Sequence, residues 1–214
     1  LKFGSKDQKE QFLIPLAKGA KRMSIAFAES EDGKDFSSIS TVAERRGKEY
    51  LIHGEKRFVL NASLADAFIM LCREPKEGWM TLMVGREKDG VEVLPIEKMG
   101  LRMIPFGDLH FREVRVALES RIGRKGEGMV HVNHCHHVMG LKNVAQALGT
   151  VQGAFDQAIQ YGKQREQFGR KLSQFQVIRH KLADMAVSIE VARWLTYKSA
   201  TDYEQGKIYP GSLP

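Results

Sequence analysis

The stretch Tyr161-Gly162-Lys163-Gln164-Arg165-Glu166-Gln167-Phe168-Gly169 separates two apolar patterns of helical period, and its reading decides the fold of the second half of the chain. Upstream, Leu141, Val144, Ala145, Leu148, Val151, Phe155, Ala158 and Ile159 recur at three- and four-residue steps. Downstream, Phe175, Ile178, Leu182, Met185, Ile189 and Ala192 repeat the pattern, with a spacing that suits shallow-angle packing in a bundle. Ser173, three residues before Gln176, predicts a hydroxyl-capped start for the second helix. Two helices cannot bury two stripes alone, so partner helices from further sequence or another subunit are expected. The joining loop carries an Arg, whose guanidinium can grip a pyrophosphate with two prongs, and a Phe, which offers a face to a flat ring. A helix C-terminus closed by Gly169 is the plainer reading of the same residues.

Before the helices the period is two. From Met23 to about Gly123, short apolar runs alternate with Gly, Pro and charged turns. Tyr50 to Ile52 and Arg57 to Leu60 flank His53-Gly54-Glu55-Lys56, which reads as a hairpin turn. Ala67 to Cys72, Met80 to Val84, Val91 to Ile96 and Leu109 to Val116 follow as strands. Runs at this spacing predict a small antiparallel barrel or sandwich, and with the helices an α+β fold. Ser5 and Gln8 stand in capping-box spacing ahead of Phe12, Leu13 and Ile14, which predicts a short helix closed by Pro15 and Gly19.

The 43% apolar content of 214 residues suffices for a buried core. The net charge of +7 raises the question of nucleic acid, but Lys and Arg are scattered among acids, as in Arg112-Glu113-Val114-Arg115, with no basic stripe. A surface meeting anionic cofactors accounts for the charge without nucleic acid. Cys72 and Cys135 give no disulfide framework, which points to a reducing, cytoplasmic setting. No run is long enough to span a membrane. A start at Leu1 and a stop at Pro214 suggest a piece of a longer protein.

Several motifs resemble those of the acyl-CoA dehydrogenase family. Arg165-Glu166-Gln167-Phe168-Gly169, with Phe175 and Gln176, resembles the family loop that touches the FAD of a neighbouring subunit. Phe27-Ala28-Glu29 with Gly33, Lys34 and Asp35 resembles its Thr-Glu-Pro-x-x-Gly-Ser-Asp loop, and Gly54-Glu55-Lys56 leading to Phe58-Val59-Leu60-Asn61 its Asn-Gly-x-Lys-x-Trp-Ile-Thr-Asn hairpin. Lys98-Met99-Gly100-Leu101-Arg102 and the glycines at 123, 126 and 128 match as well. The resemblance implies three parts: residues 1–22 as the tail of a helical domain, 23–126 as a middle β-domain, and 127–214 as the first two helices of a truncated four-helix bundle. It implies α,β-dehydrogenation of an acyl-CoA thioester, with hydride passing to FAD and then to an electron-transfer flavoprotein. It also implies an oligomer, typically a tetramer, with Phe27, Ala28, Gly33, Lys34, Phe58, Val59 and Leu60 on the flavin-ring side. Lys34, His137 and Gly140 fall on the substrate side.

Departures from the family are as informative. Ala28 and Leu60 stand where the family has hydroxyls facing the flavin, Phe58 replaces a Trp, Lys34 a Ser, His137 an Asp and Gly140 an Arg. Gly140 inside a helix costs about 1 kcal/mol relative to Ala, which raises the question of what else needs the space. Met139 occupies a position from which some members project their base Glu; the commoner base lies on a later helix, so no catalytic residue is assigned. A second reading is therefore a non-catalytic subunit of a hetero-oligomer that lends Arg165 and Phe168 to a competent partner. His131, His134 and Cys135 share a helical face, but a fourth metal ligand is missing and no metal site is assigned. Trp194, Tyr197 and Tyr203 read as core or interface. Glu29 and Asp35, both in the loop, read as structural rather than as a catalytic pair.

Overall fold

The computed structural model describes residues 2–29 and 39–207. Two compact units emerge, Leu1–Asn133 and His134–Pro214.

The first unit is an eight-stranded mixed sheet with a short helix at its N-terminus. Its strands are β1 Met23–Ala26, β2 Val42–Arg46, β3 Glu49–Leu60, β4 Ala67–Glu74, β5 Gly78–Gly85, β6 Val91–Ile96, β7 Phe106–Ala117 and β8 Arg121–Ile122. Seven run in the order β6-β7-β3-β2-β4-β5-β8, and β1 adds to β4 in parallel. The expected α+β fold is borne out, with the β part an open, mixed sheet rather than a closed antiparallel barrel. Its core draws on six strands, including Ala26, Ala43, Tyr50, Phe68, Leu82 and Val114, all buried. A backbone bond from Arg57 N–H to the Ala28 carbonyl (2.9 Å) ties the end of β1 to β3 across the gap.

The expected hairpin at residues 53–56 is not there: Glu49–Leu60 is one twelve-residue strand. Gly54 misleads because glycine marks both turns and close backbone approaches. Here it is an approach, since a Cβ at Gly54 (φ +142°) would lie 2.6 Å from Thr41 Cα. We expect Gly54→Ala to cost the sheet about 1–3 kcal/mol, read as loss of hydrogen-exchange protection in β2 and β3. Unchanged protection would mean that the Thr41 backbone can retreat.

Strand β3 pairs with β7 through two irregularities of opposite sense. Between the pairs Ile52↔Val114 and Gly54↔Phe111 the extra residue is on β7, where Glu113 has φ +53°. Between Lys56↔Leu109 and Val59↔Gly107 it is on β3, where Phe58 has φ +54°. The second bulge restores the register that the first displaced.

The N-terminal helix, α1, combines α segments Lys6–Gln8 and Ile14–Ala17 with a π turn Lys9–Leu13 between them. The capping box forms as read: Gln8 N–H donates to Ser5 Oγ (3.2 Å) and Ser5 N–H to Gln8 Oε1 (3.0 Å). Gln8 Nε2 also donates to the carbonyls of Glu119 and Arg121, docking the helix on the sheet. Pro15 does not end the helix, which runs on to Ala17. A widened turn ahead of a proline relieves the clash with the carbonyl four residues back and absorbs the missing N–H.

Helix α2, Gly128–Gln164, starts beside the sheet, and its buried His131 and Val132 belong to the first unit. In the second unit, α2 and α3 (Gln176–Glu204) run antiparallel. Arg193 donates to Gln152 Oε1 (2.6 Å), and Tyr203 Oη lies 3.4 Å from His134 Nδ1. Ser173 does not cap α3. It sits in a 3-10 turn, Leu172–Gln174, and the N-cap is Phe175, without a side-chain bond. The turn holds this junction through the backbone instead, Phe175 N–H donating to the Leu172 carbonyl (3.1 Å). Val177, Val187, Val191, Trp194 and Leu195 form a second apolar stripe on α3 that is exposed within this chain.

Candidate functional site

The β3 bulge decides which side chains the sheet presents. Lys56 points inward and Val59 is buried, yet Phe58 and Leu60 are both exposed. Without the extra residue Phe58 would share the buried face of Lys56; the bulge re-aims it to stand beside Leu60. Phe58 N–H donates to Asp108 Oδ1 (3.0 Å) on β7, and the Arg57 guanidinium lies 5.1 Å from the Phe58 ring centre and 3.7 Å from Asp108 Oδ2. The result is an aromatic face with an adjacent apolar side chain, fixed from both strands.

Behind this strip lies a buried ion pair that the sequence reading missed. The Lys56 side chain is 0% exposed and that of Glu29 7%. Lys56 Nζ donates to Glu29 Oε1 (2.6 Å) and to the Phe27 carbonyl (3.3 Å). Glu29 also accepts from Ser40 N–H (2.5 Å), Ser40 Oγ–H (2.8 Å) and Thr41 N–H (3.1 Å). Burial pushes the Lys56 ammonium below its usual range, against the pull of Glu29. Burial would raise Glu29, but the Lys56 charge and the hydrogen bonds outweigh it and hold the carboxyl below its ordinary value. Burial pushes the Cys72 thiol, near the same pair, up to about 12, so it is an inert core group. Lys56 was read as a turn residue; its inward register in a period-two run was the available signal. Glu29, expected to be structural, is the buried partner in this pair. Phe27 is itself buried, so it and Val59 offer a ligand only backbone. Gly33, Lys34 and Asp35 lie outside the described residues.

In the second unit, Arg165 to Lys171 form a miniature hairpin rather than a simple helix end. Strand β9, Glu166–Gln167, pairs with β10, Arg170–Lys171, around a two-residue turn. Phe168 and Gly169 have φ +52° and +74°, the doubly left-handed geometry of a type I′ turn. That conformation suits Gly169 and costs Phe168 on the order of 1–2 kcal/mol. The strained residue holds its ring 92% exposed. Arg165 anchors both ends through its backbone, N–H to the Tyr161 carbonyl and carbonyl from Leu172 N–H (2.9 Å each), leaving its side chain exposed. Gln167 and Gln176 are exposed as well, and the Arg170 guanidinium covers the Phe175 ring at 4.0 Å. The hairpin thus presents a cation, an aromatic face and the Gln167 amide, and α3 begins with a second exposed amide at Gln176.

His137 and Gly140 line a groove of about 490 Å³ with apolar walls that include Leu141, Val144 and Leu195. A Cβ at Gly140 would meet nothing within 4 Å, so no neighbour among the described residues requires the glycine. His136, on the same rim, is pushed down by burial and then by His137. The three potential metal ligands turn to different tasks: His131 Nδ1 lies 2.6 Å from Thr81 Oγ1 in the first unit, His134 meets Tyr203, and burial raises the Cys135 thiol. Among the described residues no group of three or more His, Cys, Asp or Glu is placed to hold a metal. Among them, too, no helix is long and apolar enough to cross a membrane.

The acyl-CoA dehydrogenase middle domain matches residues 24–114, and the C-terminal domain of the same enzymes matches residues 126–212. The chain belongs to the acyl-CoA dehydrogenase family. It is 35% identical over 211 residues to the short-chain-specific acyl-CoA dehydrogenase of Clostridium acetobutylicum, covering 96% of this chain and 56% of that one. It is 33% identical to the CarC subunit of the caffeyl-CoA reductase–Etf complex of Acetobacterium woodii, over 92% of this chain and 54% of the relative. A solved FAD-dependent dehydrogenase superposes with a TM-score of 0.90 at 30% identity, over 95% of this chain and 56% of the other. The chain thus spans little more than half the length of the relatives it matches.

Set beside the family's needs, the residues present suit a flavin nucleotide. The hairpin presents a cation and an exposed ring, and the bulged strip, in the other unit, presents an exposed aromatic, which is the chemistry such a ligand requires. Acyl-CoA dehydrogenase motifs with hydroxyls at positions 28 and 60 are replaced here by Ala28 and Leu60, so at those two positions the backbone is the remaining donor.

Proposed function

We propose that this chain is part of a flavin-dependent acyl-CoA dehydrogenase that introduces an α,β double bond into an acyl-CoA thioester. In this reading residues 1–22, 23–126 and 127–214 are the three family parts set out above. The single observation that carries it is the hairpin at Arg165–Lys171, which holds a strained Phe168 almost fully exposed and leaves the Arg165 side chain exposed too. Backbone strain is retained where something outside the element needs the side chain. FAD, when bound, supplies the hydride acceptor. Arg165 pairs with the pyrophosphate carried by a partner subunit, Phe168 covers a ring, and Gln167 and Gln176 donate to its polar edges. Phe58 walls the isoalloxazine, and the backbone amides of Ala28 and Leu60 meet its edge. Lys34, which lies outside the described residues, is assigned with His137 and Gly140 to the substrate, and none of these groups is assigned to take the α-proton. Electron-transfer flavoprotein is the acceptor in this reading, in keeping with the Etf complex of the Acetobacterium relative.

The second reading, a subunit without turnover of its own, draws on the exposed Leu60 side chain at a flavin-facing position. Visible spectroscopy of the intact protein separates the two. The first expects a flavin band that bleaches on adding an acyl-CoA; the second expects bound flavin that no acyl-CoA bleaches. A protein that stays colourless after incubation with FAD sinks the first reading.

A further inference from the structure

Ala28 lies between the two residues that Lys56 grips. Nζ takes the carbonyl of Phe27 on one side and the carboxylate of Glu29 on the other, while the Ala28 carbonyl accepts from Arg57 N–H, the residue after Lys56. Three bonds from two consecutive residues of β3 therefore fix the peptide planes on both sides of Ala28. The next residue on β3 is Phe58, at the bulge that turns its ring outward. Glu29 extends the grip to Ser40 and Thr41, and the Thr41 hydroxyl donates to the Glu55 carbonyl (3.0 Å), closing a ring of bonds back to β3. A core packing role alone does not call for an ammonium here, because apolar residues of similar volume replace buried ion pairs at little or no cost in stability.

We propose that Lys56 and Glu29 are positioning residues, which hold the backbone of Ala28 in register with Phe58 and Leu60 so that main-chain donors meet the flavin edge. The inference rests on the flavin reading above. The family motifs quoted above carry the same Glu and Lys beside a Thr, and in this chain the demand on the pair is stricter: a hydroxyl on a rotatable side chain tolerates small errors in backbone placement, and a backbone N–H does not. With Ala at position 28, the accuracy must come from the scaffold.

The test is the double variant Glu29→Gln/Lys56→Met in the intact protein. The amide that replaces the carboxylate would keep an acceptor for Ser40 and Thr41, and both charges disappear together, so no buried ion is left unpaired. Apo-protein melting, FAD dissociation and the visible circular dichroism of bound flavin are compared with those of the parent. The expected result is a melting point close to the parent's, FAD binding weaker on the order of tenfold or more, and altered flavin dichroism. A folded double variant that binds FAD as tightly, with the parent's dichroism, overturns the proposal. So does a double variant that fails to fold, which would make the pair a stability element. If the parent itself takes up no flavin, the functional reading fails first and this inference goes with it.

Discussion

Lys56→Met alone is expected to destabilise the β unit by about 3–5 kcal/mol, because it leaves the Glu29 carboxylate buried without its counter-charge. Glu29 retains its bonds from Ser40 and Thr41, but neutral donors do not replace an ammonium at 2.6 Å. Native-state hydrogen exchange of amides in β3 and β4 measures the loss locally, without assuming that two units melt as one. The double variant Glu29→Gln/Lys56→Met should recover most of it, since the cost lies in the orphaned charge. Equal protection in the parent and in Lys56→Met would show that Glu29 is neutralised or rehydrated in the variant, and the account of the pair would be wrong.

Arg165→Ala is expected to weaken FAD binding by roughly 1.5–3 kcal/mol, about 10- to 150-fold, and to leave the subunit fold intact. The asymmetry follows from the hairpin. Arg165 holds the element together through its own N–H and carbonyl, which alanine retains, and its side chain is exposed. If the flavin reached by this loop belongs to another subunit, the protein must also assemble. The exposed stripe of Val177, Val187, Val191 and Trp194 gives a reason for it to do so. Dissociation constants for FAD, with sedimentation to follow assembly, check both halves. A monomeric parent, or an Arg165→Ala variant that binds FAD as tightly as the parent, removes the proposed cross-subunit contact.

The change of period near Gly123 made the switch from sheet to helix legible, and the heptad-like stripes marked both long helices. The residues that shape the site were harder to read: three are defined by partners distant in sequence, and two by local turns. Gly54 looks like a turn until Thr41 is seen against it. Lys56 looks like a turn residue until Glu29, reached through a different strand, is seen to neutralise it. The bulge at Phe58 exists only relative to β7. Ser173 has good capping chemistry, but a 3-10 turn had already used the position. Phe168 is the sharpest instance, because propensity disfavours an aromatic at the first centre of a type I′ turn. The family resemblance pointed to the residue, and the backbone geometry explains how its ring is displayed.

The paired bulges of β3 and β7 also bear on how this chain can change over generations. Deleting the extra residue at Phe58 would leave the pairs Lys56↔Leu109 and Val59↔Gly107 in place with one residue between them on each strand, so Val59 would stay buried and Leu60 exposed. Deleting the extra residue at Glu113 would likewise keep Ile52↔Val114 and Gly54↔Phe111 paired. Each bulge is thus a place where one residue can be gained or lost without sliding the ladder on either side. What a deletion at Phe58 removes is the outward aromatic alone, so a lineage or a loop-length library can shed that side chain and keep the sheet.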